Sequence, residues 1–218
     1  MTSSSSPVGG PEFRSLRSAV YRLLLSALDK PTPEQHRHLL GAPFHEDLAL
    51  VCGQFDVPLP GGALVPAEYP DFESRYLATF EVGLPEAPVV LLASHHVQHE
   101  PAPRVVHEHI LFYRHFGCSP TEETGEAPDH LLNELRFLVH LDQLQERSPF
   151  SIESVERARR DFLDRQMLRW APLAARRATE RGIAGFYQAL LNLLTRVLRE
   201  DRVLLDGEDH LEVQPRLS

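Results

Sequence analysis

Apolar residues return at helical spacing along most of the chain. Phe13, Leu16, Val20, Leu23, Leu24 and Leu28 predict a first helix from Pro11, a residue favoured in a first turn, to about Leu28. Asp29-Lys30-Pro31 stops it. A short helix is predicted over Pro33–Leu40 and another from Phe44 to Phe55, before a loop over 56–66 with three Pro and two Gly. Tyr69, Phe72, Tyr76 and Phe80 share one face of a fourth predicted helix, Ala67–Phe80. The run Val89-Val90-Leu91-Leu92 has the pattern of a strand, but one strand alone leaves its backbone without partners. It reads instead as extended chain packed between helices. Pro103–Phe116 is a further predicted helix, and Gly117–Ala127 a polar loop.

The widest apolar stripe, Leu131, Leu132, Leu135, Leu138, Val139 and Leu141, lies on a predicted helix from Pro128 to Glu146, which should therefore be central. Ser148-Pro149 breaks the chain, and Ser151 is placed to cap a long helix with Glu153 in its first turn. Trp170-Ala171-Pro172 predicts a kink or restart, and Gly182 a stop. The last predicted helix runs from Ile183 to Arg199, and the acidic tail after Asp201 is expected to fray. With no internal repeat and no repeated β pattern, the fold class is all-α, a single-domain multi-helix bundle. Residues 1–11 are expected to be a disordered segment, 12–205 the helical domain and 206–218 the frayed tail.

Composition narrows the possible functions. A chain of 218 residues with 42% hydrophobic content can bury a sizeable core. A formal charge of −9 argues against nucleic acid, which is bound by clustered Lys and Arg, and favours a basic partner. The Ser- and Gly-rich start lacks the charged end and apolar run of a signal peptide. No stretch approaches the roughly 18 apolar residues of a membrane span, so a cytoplasmic location is expected. Cys52 and Cys118 fit neither a disulfide framework nor zinc-ligand spacing and read as free thiols.

Catalytic motifs do not emerge: there is no Gly-rich phosphate loop, nucleophile elbow or Cys-x-x-Cys pair. Twelve histidines include His95, His96, His99, His107, His109 and His115, but a metal needs three or four converging ligands. His107 and His109 would point to different helix faces, so these are read as loop or surface residues and no metal is expected. A second cluster holds Glu122, Glu123, Glu126, Asp129, His130 and Glu134. One reading makes it a solvated loop and helix-start acids, with His130 and Glu134 paired one turn apart. The other makes Pro128-Asp129-His130 a rigid start that aims an acid and an imidazole out of one helix end.

The segment Glu126-Ala127-Pro128-Asp129-His130-Leu131-Leu132-Asn133-Glu134-Leu135-Arg136-Phe137-Leu138 closely resembles the signature of the TorD/DmsD/NarJ family of redox-enzyme maturation chaperones, roughly E-x-P-D-H-[IL]-x-x-E-L-x-F-[ML]. Tyr76 to Phe80 followed by Pro85, Pro88 and Ser94 is similar to another family motif. So are Phe162 through Trp170-Ala171-Pro172 and the Phe186-Tyr187 pair. Departures are Gln166 where many members carry His, Val89 where some have Trp, and His95-His96 in place of an aromatic residue.

The resemblance implies a TorD-like helical fold and a chaperone without catalytic activity. The implied partner is the precursor catalytic subunit of a molybdopterin oxidoreductase of the DMSO reductase type, held during cofactor insertion and before export. Contact would be through its twin-arginine signal peptide, its mature part, or both; a NarJ-like assembly factor for a non-exported enzyme is the alternative. No cofactor is expected, although family resemblance leaves room for weak GTP binding and so for a minor, nucleotide-binding alternative. Members are monomers or helix-exchanged dimers. A twin-arginine peptide joins a basic start to an apolar middle, so its receptor needs acids beside an apolar groove. Asp129, expected to be solvent-reachable, and Glu126 are the expected partners of the arginines. His130 and Pro128 belong to the same helix start, while Tyr76, Phe80, Pro85 and Pro88 are expected to line the apolar part. Glu134, Leu135 and Phe137 are expected to hold the helix in place.

Overall fold

Local capping chemistry sets most of the helix boundaries. The computed structural model describes residues 11–62, 64–119, 121–122, 125–147 and 151–212. Helix α1 (Pro11–Leu28) is followed by α2 (Pro33–Leu39), which opens on a capping box. The Thr32 hydroxyl accepts from the Gln35 N–H at 3.1 Å, and the Gln35 side chain accepts from the Thr32 N–H at 3.3 Å. After α3 (Ala42–Gln54), α4 (Tyr69–Tyr76) runs directly into a π turn, Leu77–Glu81. An extended segment leads to the single-turn α5 (Ala93–His96) and then α6 (Ala102–His115). The second half holds α7 (Leu131–Arg147), α8 (Ile152–Phe162), a π turn (Leu163–Met167), α9 (Leu168–Glu180) and α10 (Phe186–Glu212).

The all-α class expected from periodicity holds, with no strand among the described residues. Ser151 caps α8, accepting from the Ser154 N–H at 3.2 Å. Gly182, at φ +72°, closes α9 in a Schellman arrangement: its N–H donates to the Thr179 carbonyl and that of Ile183 to Ala178.

Several boundaries differ from the sequence reading, among them three with a tertiary cause. Helix α7 starts at Leu131, because Pro128–His130 form a turn whose His130 backbone pairs with Leu92 in an isolated antiparallel bridge. The irregularity near Trp170 lies earlier, in the π turn, and Pro172 sits inside α9. Helix α10 continues to Glu212, well past Arg199, because its buried stripe does not end there: Leu198, Asp201 and Leu205 are all buried. Residues 1–10 and 213–218, parts of the two segments expected to be disordered or frayed, lie outside the described residues.

Helix α7 is central, as its stripe predicted, with Leu131, Leu135, Phe137, Leu138 and Leu141 fully buried. It packs along α1 and against α8, while α9 packs along α10, and α1 also meets α10. Inside this frame lies an ionic network. Asp201 of α10 accepts from Arg17 of α1 at 3.1 Å, Tyr21 of α1 at 2.6 Å and Arg159 of α8 at 3.2 Å. Asp142 of α7 accepts from Arg17 at 2.8 Å and also pairs with Arg159. One buried cluster thus joins four helices. Among the described residues no helix is long and apolar enough to cross a membrane.

Candidate functional site

The signature turn is built by backbone pairing between two segments distant in sequence. Ala93 N–H donates to the Asp129 carbonyl, and Leu131 N–H to the Leu91 carbonyl, each at 3.0 Å. The Asp129 carboxylate then accepts from the Ser94 N–H at 2.9 Å, at the first turn of α5. Asp129 was expected to face solvent; it is only 1% exposed, because this donor holds it inward. His130, 6% exposed, is likewise not aimed outward. Its Nδ1 accepts from the Leu132 N–H at 3.3 Å, so the ring caps α7. Burial lowers its pKa, against the opposing charge of Glu126, which suits an unprotonated acceptor nitrogen. Asn133 donates to the carbonyls of Ala127 and Glu126, and Tyr113 to that of the half-buried Pro128 at 2.7 Å. The turn is clamped from both sides.

Glu134 does not pair with His130, the partner suggested by their spacing. It is fully buried and accepts from His109 of α6 at 2.8 Å and from the Trp170 indole of α9 at 3.0 Å. The other nitrogen of His109 faces the Val105 carbonyl at 2.8 Å, so donating to both oxygens needs both ring protons. Burial opposes that charge, but the hydrogen bond and charge of Glu134 outweigh it and raise the His109 pKa. His96 stacks on Trp170 at 5.4 Å and bonds the Val90 carbonyl at 2.8 Å. Two of the histidines read as loop or surface residues are therefore core residues tying α5 and α6 to α7 and α9. Glu134, Leu135 and Phe137 all sit in the core. Among the described residues no group of three or more His, Cys, Asp or Glu could hold a metal.

The outer side of the turn has a different character. Glu126 pairs with Lys30, just beyond α1. That hydrogen bond raises the Lys30 pKa, with burial opposing and Glu81 and Asp29 adding to the rise. Tyr76 and Phe80 lie beneath, 1% and 6% exposed, packed edge to face with each other and with Tyr187. They were expected to line an open groove; their rings are instead core, because their shared face is the one turned to α10. The side chains presented to solvent here are Leu77, Val82 and Leu84, the last 97% exposed, around Glu81. Pro85, after a cis peptide bond, is exposed, and Pro88 is half-buried with its carbonyl held by Arg177 at 3.1 Å. Gly83 permits this loop: a Cβ there would lie 2.1 Å from the Glu86 carbonyl oxygen.

Sequence reasoning missed Lys30, Glu81 and the exposed leucines. The available signal was their departure from the aromatic stripe, and the fact that Lys30 is the only lysine in the sequence. Separately, a groove of about 630 Å³ lies between α6 and α8, walled by Leu111, Phe112, Phe116 and Ala158 with Arg157, Asp161 and Arg165 among its polar lining.

Comparison with known proteins points one way. The family model described as nitrate reductase delta subunit matches residues 61–176, a span that includes the signature turn. The chain is similar to the perchlorate reductase assembly chaperone protein of Dechloromonas aromatica (strain RCB), 30% identical over 191 residues, covering 83% of this chain and 85% of that protein. It is 38% identical over 128 residues to the selenate reductase assembly chaperone protein of Thauera selenatis, covering 56% and 66% of the two chains. Chaperone protein TorD of Aliivibrio salmonicida (strain LFI1238) is 34% identical over 95 residues, 43% and 44% of the two. No solved structure matches.

Proposed function

The chain belongs to the nitrate reductase delta subunit family, the TorD/DmsD/NarJ group that its signature resembles, and on that footing we propose that it is an assembly chaperone for the precursor catalytic subunit of a molybdopterin oxidoreductase of the DMSO reductase type. It acts by binding and not by catalysis. The segment engaged is the client's twin-arginine leader, held during cofactor insertion so that export is delayed. The observation that carries this reading is the joint placement of carboxylates and exposed apolar side chains beside the signature turn. Glu126, Glu81 and Asp29 supply acceptors for guanidinium groups, and charge-assisted pairs of this kind are directional. Leu77, Val82 and Leu84 supply apolar surface for the segment that follows the arginines. Each apolar Å² they lose to the peptide favours binding by roughly 25 cal/mol before the ordering of the peptide is subtracted.

Calorimetric titration with the precursor, the precursor lacking its leader, and a precursor whose two arginines are replaced by glutamine tests this. Binding should be lost without the leader and weakened by the glutamines. Undiminished affinity for the leaderless client would turn the reading to its alternative, a contact with the mature part. The groove between α6 and α8 would favour that, and Leu111→Glu should then abolish binding.

A further inference from the structure

We propose that Lys30 is a built-in occupant of the site that receives the client's arginine, holding Glu126 until a guanidinium displaces it. This rests on the basic-then-apolar peptide proposed above and adds a threshold for its entry. Lys30 leaves α1 with its backbone N–H bonded to the Asp29 carboxylate at 2.9 Å, and its ammonium reaches Glu126 next to the signature turn. The lysine side chain is 56% exposed and that of Glu126 18%, so the acid sits in a recess whose plug faces solvent. Asp29, Glu81 and Glu126 all act on this ammonium.

A second observation points to a ligand. The Tyr76 hydroxyl is buried and has no hydrogen-bond partner among the described residues, and beyond burial itself the charges acting on it are those same three carboxylates. A guanidinium has five donors in a planar fork and can reach a carboxylate and a phenol oxygen together. An ammonium on a flexible stem is a point charge and is the weaker competitor. Exchange of Lys30 for arginine is therefore favoured, while most single cations meet an occupied acid.

The experiment uses the full chain and a synthetic leader peptide in which two adjacent arginines precede an apolar stretch, with a glutamine-substituted peptide as control. Lys30→Gln should bind the arginine peptide about two- to fivefold more tightly than wild type, the range expected when one surface ion pair no longer competes. Arg37→Gln, which removes a positive charge on the exposed face of α2, should not do so. Because Lys30 is the only lysine, isotopic labelling of lysine gives one side-chain NMR signal. Saturating arginine peptide should lower its titration midpoint towards the ordinary 10.5, and the control peptide should leave it in place. If the peptide binds but Lys30→Gln binds no more tightly, or the lysine signal does not move, the plug is overturned and the leader reading stands. If neither wild type nor variant binds the peptide, both fail.

Discussion

At Glu134 a carboxylate without solvent contact is held by an imidazole and an indole from two other helices, and its stability depends on one proton. The native state holds the His109 proton more tightly than the unfolded chain does, where histidine titrates near 6.5. Stability from this pair is therefore complete below that value and is lost as pH rises through the higher folded pKa. Burial raises the pKa of Glu134 from its ordinary 4.5, which adds a decline of the same sign from lower pH. Urea denaturation across this window should show stability falling with pH, and Glu134→Gln should flatten the profile. At the acid end of that window the variant should lose about 3–5 kcal/mol, since it leaves a buried imidazolium without its anion there. Glu134 is fully buried, and its partner was not legible in the sequence. Spacing offered His130, four residues away; the true partner is 25 residues away on another helix, and nothing local encodes that.

Between elements, Asp129 forms a seam and does not face the surface. Its carboxylate caps α5 while its carbonyl and the neighbouring Leu131 N–H stitch the extended segment to the start of α7. Asp129→Ala should lower stability by about 1–2 kcal/mol, the range of a lost helix cap, and speed hydrogen exchange at Ser94. Its effect on client binding should follow the loosening of this seam, so exchange that stays slow while affinity falls would return Asp129 to direct contact. Helix positions were largely readable because the apolar stripes are regular. The π turns and the bridge were not, since both arise where tertiary packing overrides local propensity. The burial of the Tyr76 and Phe80 rings has a related reason. An aromatic stripe such as Tyr76 and Phe80 signals burial more strongly than recognition.

Across the whole molecule, the network of Arg17, Asp142, Arg159 and Asp201 fixes four helices in one arrangement. Asp201→Ala should cost about 3–5 kcal/mol, seen as a lower denaturation midpoint, because two buried guanidinium groups lose an acceptor. A signal for it was present in the sequence. Val197, Asp201 and Leu205 are spaced by four, so an acid lies within an apolar stripe, as Arg17 does in α1. The continuation of α10 gives this a practical edge. A chain cut after Arg199, where the sequence pattern predicts the end of the last helix, would lose Asp201 together with the buried Leu205, whose carbonyl accepts from Arg160 at 2.5 Å. What looks like a dispensable appendage is a clasp, and a reporter domain fused at that point would be grafted onto an opened core.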